Sequence, residues 1–133
     1  IYTPLYTLSL HDALPIYAPN RYPFTVRDEG AAKQLGTLHD LFAALPFWRM
    51  RPFEGVTGNA GVALAESGQV YAAYPPRGGA LSLDLQSASG RMTGRWLNPR
   101  DGQLGEPFSI PAGQRVNLTA PDDGNDWTLL VQR

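Results

Sequence analysis

Residues 81–104 read LSLDLQSASGRMTGRWLNPRDGQL, and this stretch decides the fold. Every second residue from Leu81 to Leu85 is a leucine, which is the period-two pattern of a strand with one buried face. After a polar break at residues 86–90, the chain from Met92 to Trp96 alternates in the same way. The stretch therefore predicts two strands joined by a loop.

The second of these strands runs into the turn residues NPRDG at positions 98–102. Pro99 suits the second position of a tight turn, because the φ that its ring fixes is the one needed there. Gly102 accepts the positive φ that starts a return strand. We therefore expect a β-hairpin whose turn follows residue 97.

Further strands are expected on both sides of this unit. Alternating apolar residues predict them near residues 62–64, 70–74, 108–110, 116–120 and 127–131. The total of about seven or eight short strands is typical of a sandwich, so we predict a mostly β chain, an antiparallel β-sandwich preceded by one amphipathic α-helix. In the hairpin of the first two strands, Val70, Ala72 and Tyr74 are expected to face the core, which leaves Tyr71 exposed.

The helix is predicted from one apolar stripe at helical spacing: Ala31, Leu35, Leu38, Phe42 and Leu45. Asp28 is expected to cap its first turn, and Pro46 to end it near Leu45. Such a stripe has to lie on a partner. We expect part of it, at Leu35, Leu38 and Phe42, to face solvent or to be clamped on the sandwich.

Residues 1–16, IYTPLYTLSLHDALPI, resemble the translation of a common short-read sequencing adapter, most clearly at residues 7–16. They do not resemble a signal peptide, because they lack a positive start and Asp12 interrupts the apolar run. We therefore exclude residues 1–16 from the fold as adapter-derived. An adapter-derived start is what results when an open reading frame runs into the end of a DNA fragment. We therefore expect that the native chain is truncated upstream of these residues.

Composition excludes several classes of function. Asp12 is the one charged residue in 1–16, so the chain's 11 Lys and Arg are balanced by the 11 other acidic residues. This balance gives no electrostatic reason to expect nucleic acid or an anionic membrane as partner. The chain has no cysteine, which excludes disulfides and thiolate chemistry, and no apolar run approaches the length of a membrane helix.

The sequence contains no pattern typical of a catalytic or metal site. His39 and Asp40 are neighbours in the predicted helix, where successive side chains diverge, so they do not imply a dyad. Asp84 and Glu106 show no partner for a glycosidase acid pair. The aspartates and asparagine near the last strand lack the distal glutamate of a calcium loop and fit a turn instead: Asp122, Asp123, Asn125 and Asp126. We predict no catalytic residue, no metal and no cofactor.

Five residues are candidates for binding a ligand: Trp48, Tyr71, Trp96, Asn98 and Arg100. Aromatic faces with nearby hydrogen-bond donors suit sugar rings, and they equally suit a seam between domains. Trp48, which lies between prolines and arginines, is either a stacking platform or a wedge in a linker. Trp96 is either part of the core or the floor of a groove.

From about Met50 onward the chain resembles a C-terminal β-sandwich family known as the collagen-binding domain. The resemblance is carried by ALAESGQVYAAYPPRGGALSLDL at residues 63–85, GRWLNPRDGQL at 94–104 and TAPDDGNDWTLLVQR at 119–133. In that family the domain follows an apiosidase-like TIM-barrel glycoside hydrolase module. Residues 34–52, QLGTLHDLFAALPFWRMRP, resemble the last helix of that barrel and its exit.

The resemblance implies that residues 17–46 are the remnant of the upstream barrel and residues 47–133 a C-terminal accessory domain. It implies a secreted or periplasmic bacterial protein that degrades polysaccharide, with its catalytic acids upstream of Tyr17. The expected role is a non-catalytic brace for the barrel in the same parent chain, with polysaccharide as a further partner. The alternative is an independent carbohydrate- or collagen-binding module. Coplanar aromatics on an open face would favour binding, and aromatics buried against the helix would favour the brace.

Overall fold

The structure, a computed structural model, describes residues 29–59 and 61–133. All the strands described below lie in one compact unit, residues 33–133. The first element of the described residues is helix α1 (Glu29–Ala44), followed by a short 3-10 helix (Phe47–Arg49).

Nine strands follow in the described residues, all antiparallel to their neighbours. They are β1 (Arg51–Pro52), β2 (Val56–Gly58), β3 (Val62–Glu66), β4 (Val70–Tyr74), β5 (Gly78–Asp84), β6 (Arg91–Leu97), β7 (Phe108–Pro111), β8 (Arg115–Asp123) and β9 (Thr128–Gln132). The larger sheet has the order β1-β3-β4-β9-β6-β7, and the smaller has the order β2-β5-β8. The predicted mostly β sandwich preceded by a helix is confirmed.

The core lies between the two sheets, because alternate residues of each long strand point inward. Leu81 and Leu83 of β5 enter it from the smaller sheet and are at most 2% exposed. Leu129 and Val131 of β9 enter it from the larger sheet and are fully buried. The two strands predicted from residues 81–104 are β5 and β6, and they belong to different sheets, so the polar loop between them crosses from one layer to the other.

The hairpin after β6 has the predicted turn. The Gly102 N–H donates to the Asn98 carbonyl over 2.8 Å, and Gly102 has a φ of 77°. The return chain pairs with β6 as strand β7, first through a bridge between Leu97 and Leu104.

The β3–β4 hairpin presents the opposite face to the core from the one predicted. Tyr71 and Ala73 are 1% exposed and lie in the core, whereas Tyr74 is exposed and Val70 and Ala72 are only partly covered. The prediction was wrong because both faces of this hairpin are apolar, so alternation alone does not distinguish them. The inward face carries three alanines, Ala63, Ala65 and Ala73, beside Tyr71.

Helix α1 lies over the outer face of the larger sheet. Leu45, which directly follows the helix, is 2% exposed, while Leu35 and Leu38 of the helix are 56% and 47% exposed. The expectation that part of the apolar stripe faces solvent is therefore confirmed; the predicted cap at Asp28 lies outside the described residues. Within the part of the chain that the structure describes, no helix has both the length and the apolar character needed to cross a membrane.

Candidate functional site

Trp48 is the most exposed of the candidate aromatic residues. Its side chain lies in the short 3-10 helix and is 65% exposed. Phe47 contacts it edge to face, with ring centroids 5.6 Å apart and an interplanar angle of 80°. Phe47 in turn meets Phe42 of α1 at 6.0 Å and 89°. The three rings are therefore perpendicular neighbours, which is a packing geometry and not a flat platform for stacking a sugar ring.

Trp96 and Tyr71 both lie in the core. Trp96 is 8% exposed, so it is part of the core and not the floor of a groove. Tyr71 is 1% exposed, and the prediction that it is exposed was wrong for the reason given for its hairpin. Its hydroxyl accepts the Gly68 N–H at 2.7 Å and meets Ser87 Oγ at 3.0 Å. The Tyr71 side chain thus joins the β3–β4 turn to the β5–β6 loop.

Asn98 holds the hairpin turn together from within. Its Nδ2 donates to Asp101 Oδ2 at 3.0 Å, and its Oδ1 accepts the Arg100 N–H at 3.1 Å. Both ends of the amide are therefore committed to the turn. Asn98 orders the loop that presents Arg100.

Arg100 joins this turn to the chain that enters β9. Its Nη1 donates to both the carbonyl oxygen and Oδ1 of Asp126, each at 2.8 Å. Its guanidinium carbon lies 5.2 Å from the centroid of the Trp127 ring, in a cation–π arrangement. Tyr74 Oη donates to the other oxygen of Asp126 at 3.2 Å. Burial, and then the negative charge of Asp126, raise the pKa of Tyr74 above its usual value.

The sequence did not predict this cluster of Arg100, Asp126, Trp127 and Tyr74. The two turns were identified separately, and pairing of β6 with β9 brings together Arg100 and Asp126, which are 26 residues apart in sequence. Because Arg100 pairs with Asp126 through Nη1 and lies over Trp127, this part of its guanidinium serves the fold.

The chain bends at residues 124–125, between β8 and β9, but Asp122 and Asp123, which were also expected in a turn, are the last residues of β8. Asp122 Oδ1 accepts hydrogen bonds from Trp127 Nε1 at 3.2 Å and from Asn125 Nδ2 at 3.1 Å. Across residues 29–59 and 61–133, no three acidic or histidine side chains converge closely enough to hold a metal ion. The hydrogen bond from Trp127 is the main cause of a lowered pKa at Asp122.

This lowered pKa predicts a contribution to acid unfolding. A carboxyl group whose pKa is lower in the folded state stabilises the fold above its unfolded pKa, and that stabilisation is lost as the pH falls through the folded value. We expect Asp122→Asn to flatten the loss of stability below about pH 4, as measured by urea unfolding between pH 2 and 6. Asp123→Asn is the control for the removal of one carboxylate, because it leaves the hydrogen bond between Trp127 and Asp122 in place. Equal flattening in the two variants would contradict the role of that hydrogen bond.

His39 and Asp40 contact each other, contrary to the expectation from helix geometry. His39 Nδ1 lies 3.2 Å from Asp40 Oδ1, with side chains that are 81% and 84% exposed. Successive side chains reach each other here because both extend freely into solvent. The pair lies on an open surface, where nothing shapes a substrate site around it.

An apolar groove of about 380 Å³ separates α1 from the outer face of the larger sheet. Leu38, Leu41 and Phe42 line it from the helix, and Val62 and Tyr74 line it from the hairpin. Five exposed large apolar residues of α1, the 3-10 helix and β3 form what we call the apolar surface: Leu35, Leu38, Phe47, Trp48 and Val62. Leu38 and Val62 line the groove, and Phe47 contacts Phe42, which lines it too. Sequence reasoning missed its sheet half, although apolar residues on both faces of β3 and β4 are the signal of strands covered on both sides.

Solved structures with the same fold are parts of much larger chains. One is described as "Glycoside hydrolase"; it is 20% identical, has a TM-score of 0.68, and the match covers 79% of this chain and 26% of that one. The other is a glycoside hydrolase family 5 structure from Bacteroides vulgatus ATCC 8482, at 21% identity and a TM-score of 0.67, covering 77% of this chain and 24% of that one. The chain thus spans about a quarter of the length of either protein. No curated protein matches it.

The family model that matches is described as "Putative collagen-binding domain of a collagenase" and covers residues 56–132. The match begins at β2 and ends in β9, so it includes both sheets and all the turns described above. It therefore spans more than half of the chain and nearly the whole sandwich. The chain belongs to this collagen-binding domain family.

Proposed function

We propose that residues 47–133 are a non-catalytic C-terminal accessory domain of a secreted, polysaccharide-degrading glycoside hydrolase, and that the domain braces the catalytic module that precedes it. Residues 17–46, which include α1, would then be the end of that module. The proposal is supported by family membership and by the share of the matching hydrolase chains that this fold occupies. The candidate residues Asn98 and Arg100 support it too, since their polar groups are engaged within the domain.

The observation that carries the proposal is the apolar surface. Large side chains in this surface are 47–68% exposed and lie on α1, the 3-10 helix and β3, next to an apolar groove. Contiguous apolar patches of this kind mark interaction sites. The rings of Phe42, Phe47 and Trp48 are not coplanar, which favours packing against another protein surface over stacking along a polysaccharide.

The brace is tested by measuring whether a hydrolase module and this domain, joined in one chain, unfold cooperatively. Calorimetry should show one shared unfolding transition, and Val62→Asp should split it into two, because a charge in the docked surface remains unpaired. Gln69→Asp is the control, since Gln69 is exposed in the turn of the same hairpin and lies outside both the apolar surface and the groove. Two independent transitions in the unsubstituted chain would contradict the brace.

Trp48 itself is expected to contribute little to the stability of the present chain. With 65% of its side chain exposed, Trp48→Ala should change the free energy of unfolding by less than about 0.5 kcal/mol. In the two-module chain the same change should weaken the coupling between modules. A loss of about 3 kcal/mol in the present chain, typical of a buried aromatic, would show that Trp48 belongs to the core.

An independent binding module remains the second candidate, because Trp48 exposes enough of its ring to meet a ligand. Affinity electrophoresis of the chain in gels containing pectin-type polysaccharide or collagen separates the two functions. The brace predicts no retardation on either polymer. Retardation that Trp48→Ala abolishes would establish the binding function and identify the polymer.

A further inference from the structure

β8 is an unusually open edge strand. It is the longest strand of the described residues, and in the order β2-β5-β8 it has a neighbour on one side only. The edges of the larger sheet are β1 and β7, which are only 2 and 4 residues long. Short edges are a usual protection against pairing between molecules, whereas a long open edge is a template for it. The smaller sheet therefore has one edge at which another strand fits.

The hydrogen bonds of β5 show which groups of β8 are free. The Ala80 carbonyl accepts from Asn59 and the Asp84 N–H donates to Gly55, so both residues turn their polar groups toward β2. Bonding direction alternates along a strand, so Leu81 and Leu83 turn toward β8.

On β8, the partners of Leu81 and Leu83 are Leu118 and Val116. Asn117 and Thr119 alternate with these two residues, so their backbone N–H and C=O groups point away from β5, toward the open edge. Among the described residues, no backbone group outside the sheet forms a hydrogen bond with them.

We propose that β8 pairs with β8 of a second copy of this chain, antiparallel, about a two-fold axis at Thr119. The strand is self-complementary in charge about this point. The axis places Asn117 opposite Pro121 and Arg115 opposite Asp123. The register with β5 shifts between Thr119 and Asp123, but exposure still alternates along β8 and puts both charged side chains on the outer face. The Asp123 carboxylate makes no ion pair within the described residues, whereas Arg115 pairs with Asp84 at 3.4 Å. Because surface ion pairs contribute little, Arg115 can turn from Asp84 to Asp123 of the second copy at small cost.

The backbone contacts in this arrangement are reciprocal. Each Thr119 N–H donates to the Thr119 carbonyl of the other copy, and each Asn117 N–H donates to the Pro121 carbonyl opposite. Pro121 has no N–H to return that bond. Pairing of one edge also buries less surface than a standard interface, so we expect a weak dimer with a dissociation constant of roughly 10–100 μM.

Sedimentation of the full chain from micromolar to millimolar concentration tests the proposal. Thr119→Pro removes an outward N–H without removing a bond to β5, and it should weaken the dimer by about tenfold or more while circular dichroism stays unchanged. Asp123→Lys should also weaken it, and adding Arg115→Glu should restore it. A chain that stays monomeric to millimolar concentration would overturn the proposal. So would a dimer that survives Thr119→Pro but is lost in Val62→Asp, because it would use the apolar surface.

Cross-linking locates the axis directly, because the chain has no cysteine. Thr119→Cys should be joined to its counterpart by a short bismaleimide, since directly opposed residues lie about 5.5 Å apart. Thr57→Cys, on the opposite edge of the same sheet, is the control and should remain uncoupled. Equal cross-linking of the two variants would contradict pairing through β8.

Discussion

Gly78→Ala should lower the free energy of unfolding by about 3–4 kcal/mol, which is a large fraction of the stability of a domain this size. Gly78 opens β5 with a φ of 62°, a conformation that costs other residues about 1–2 kcal/mol. A methyl group there would also collide with the Asp122 carbonyl oxygen and lie 2.9 Å from that of Asn125. Both obstacles are backbone atoms, so the turn before β9 would have to shift, at a further cost of about 1–3 kcal/mol.

Gly90→Ala is the matched control for this prediction. Gly90 has a φ of 78°, and no atom lies within 4 Å of the position that its β-carbon would take. The substitution therefore measures the backbone strain alone, about 1–2 kcal/mol. Urea denaturation of both variants, followed by tryptophan fluorescence, gives the difference. Equal losses would show that the approach of β5 to residues 122–125 is looser than the structure has it.

The sequence predicted the fold well because its main signals are local. Alternation from Leu81 to Leu85 marks β5, and Pro99 with Gly102 marks the hairpin, since each signal depends on residues within one turn or strand. The orientation of the β3–β4 hairpin was missed because it depends on what covers each face. At Tyr71 the deciding partners are Ser87 and Phe53, which are distant in sequence.

The candidate site was predicted less well, for a related reason. Exposure of an aromatic residue is a tertiary property, so Trp48, Tyr71 and Trp96 could not be ranked from their neighbours in sequence. The structure exposes the first and buries the others. Likewise Arg100 was identified as a donor, but its acceptor, Asp126, is placed by the long-range pairing of β6 with β9. The sequence identified the side chains that can stack or donate hydrogen bonds, but the pairing of distant strands determined which partners they contact.

Tyr71→Ala should be the most destabilising of the aromatic substitutions, at about 4–5 kcal/mol. The side chain is 1% exposed and packs edge to face on Phe53 at 5.3 Å, so its removal leaves a cavity in the core. It also leaves the buried N–H of Gly68 without its acceptor. Tyr74→Ala on the same strand is the control: Tyr74 is 36% exposed on the opposite face, and its loss should cost about 1 kcal/mol.

Tyr71→Phe separates packing from hydrogen bonding at the same position. The ring contacts remain, so the expected cost is about 1–2 kcal/mol, which is the loss of the hydroxyl bonded to Gly68 and Ser87. Because Ser87 Oγ also meets Ser67 Oγ at 2.7 Å, that serine keeps a partner, and most of the cost falls on the Gly68 N–H. Hydrogen exchange at Gly68 should therefore accelerate in Tyr71→Phe. Unchanged exchange, or equal costs for Tyr71→Ala and Tyr74→Ala, would place Tyr71 on the outer face of the sheet after all.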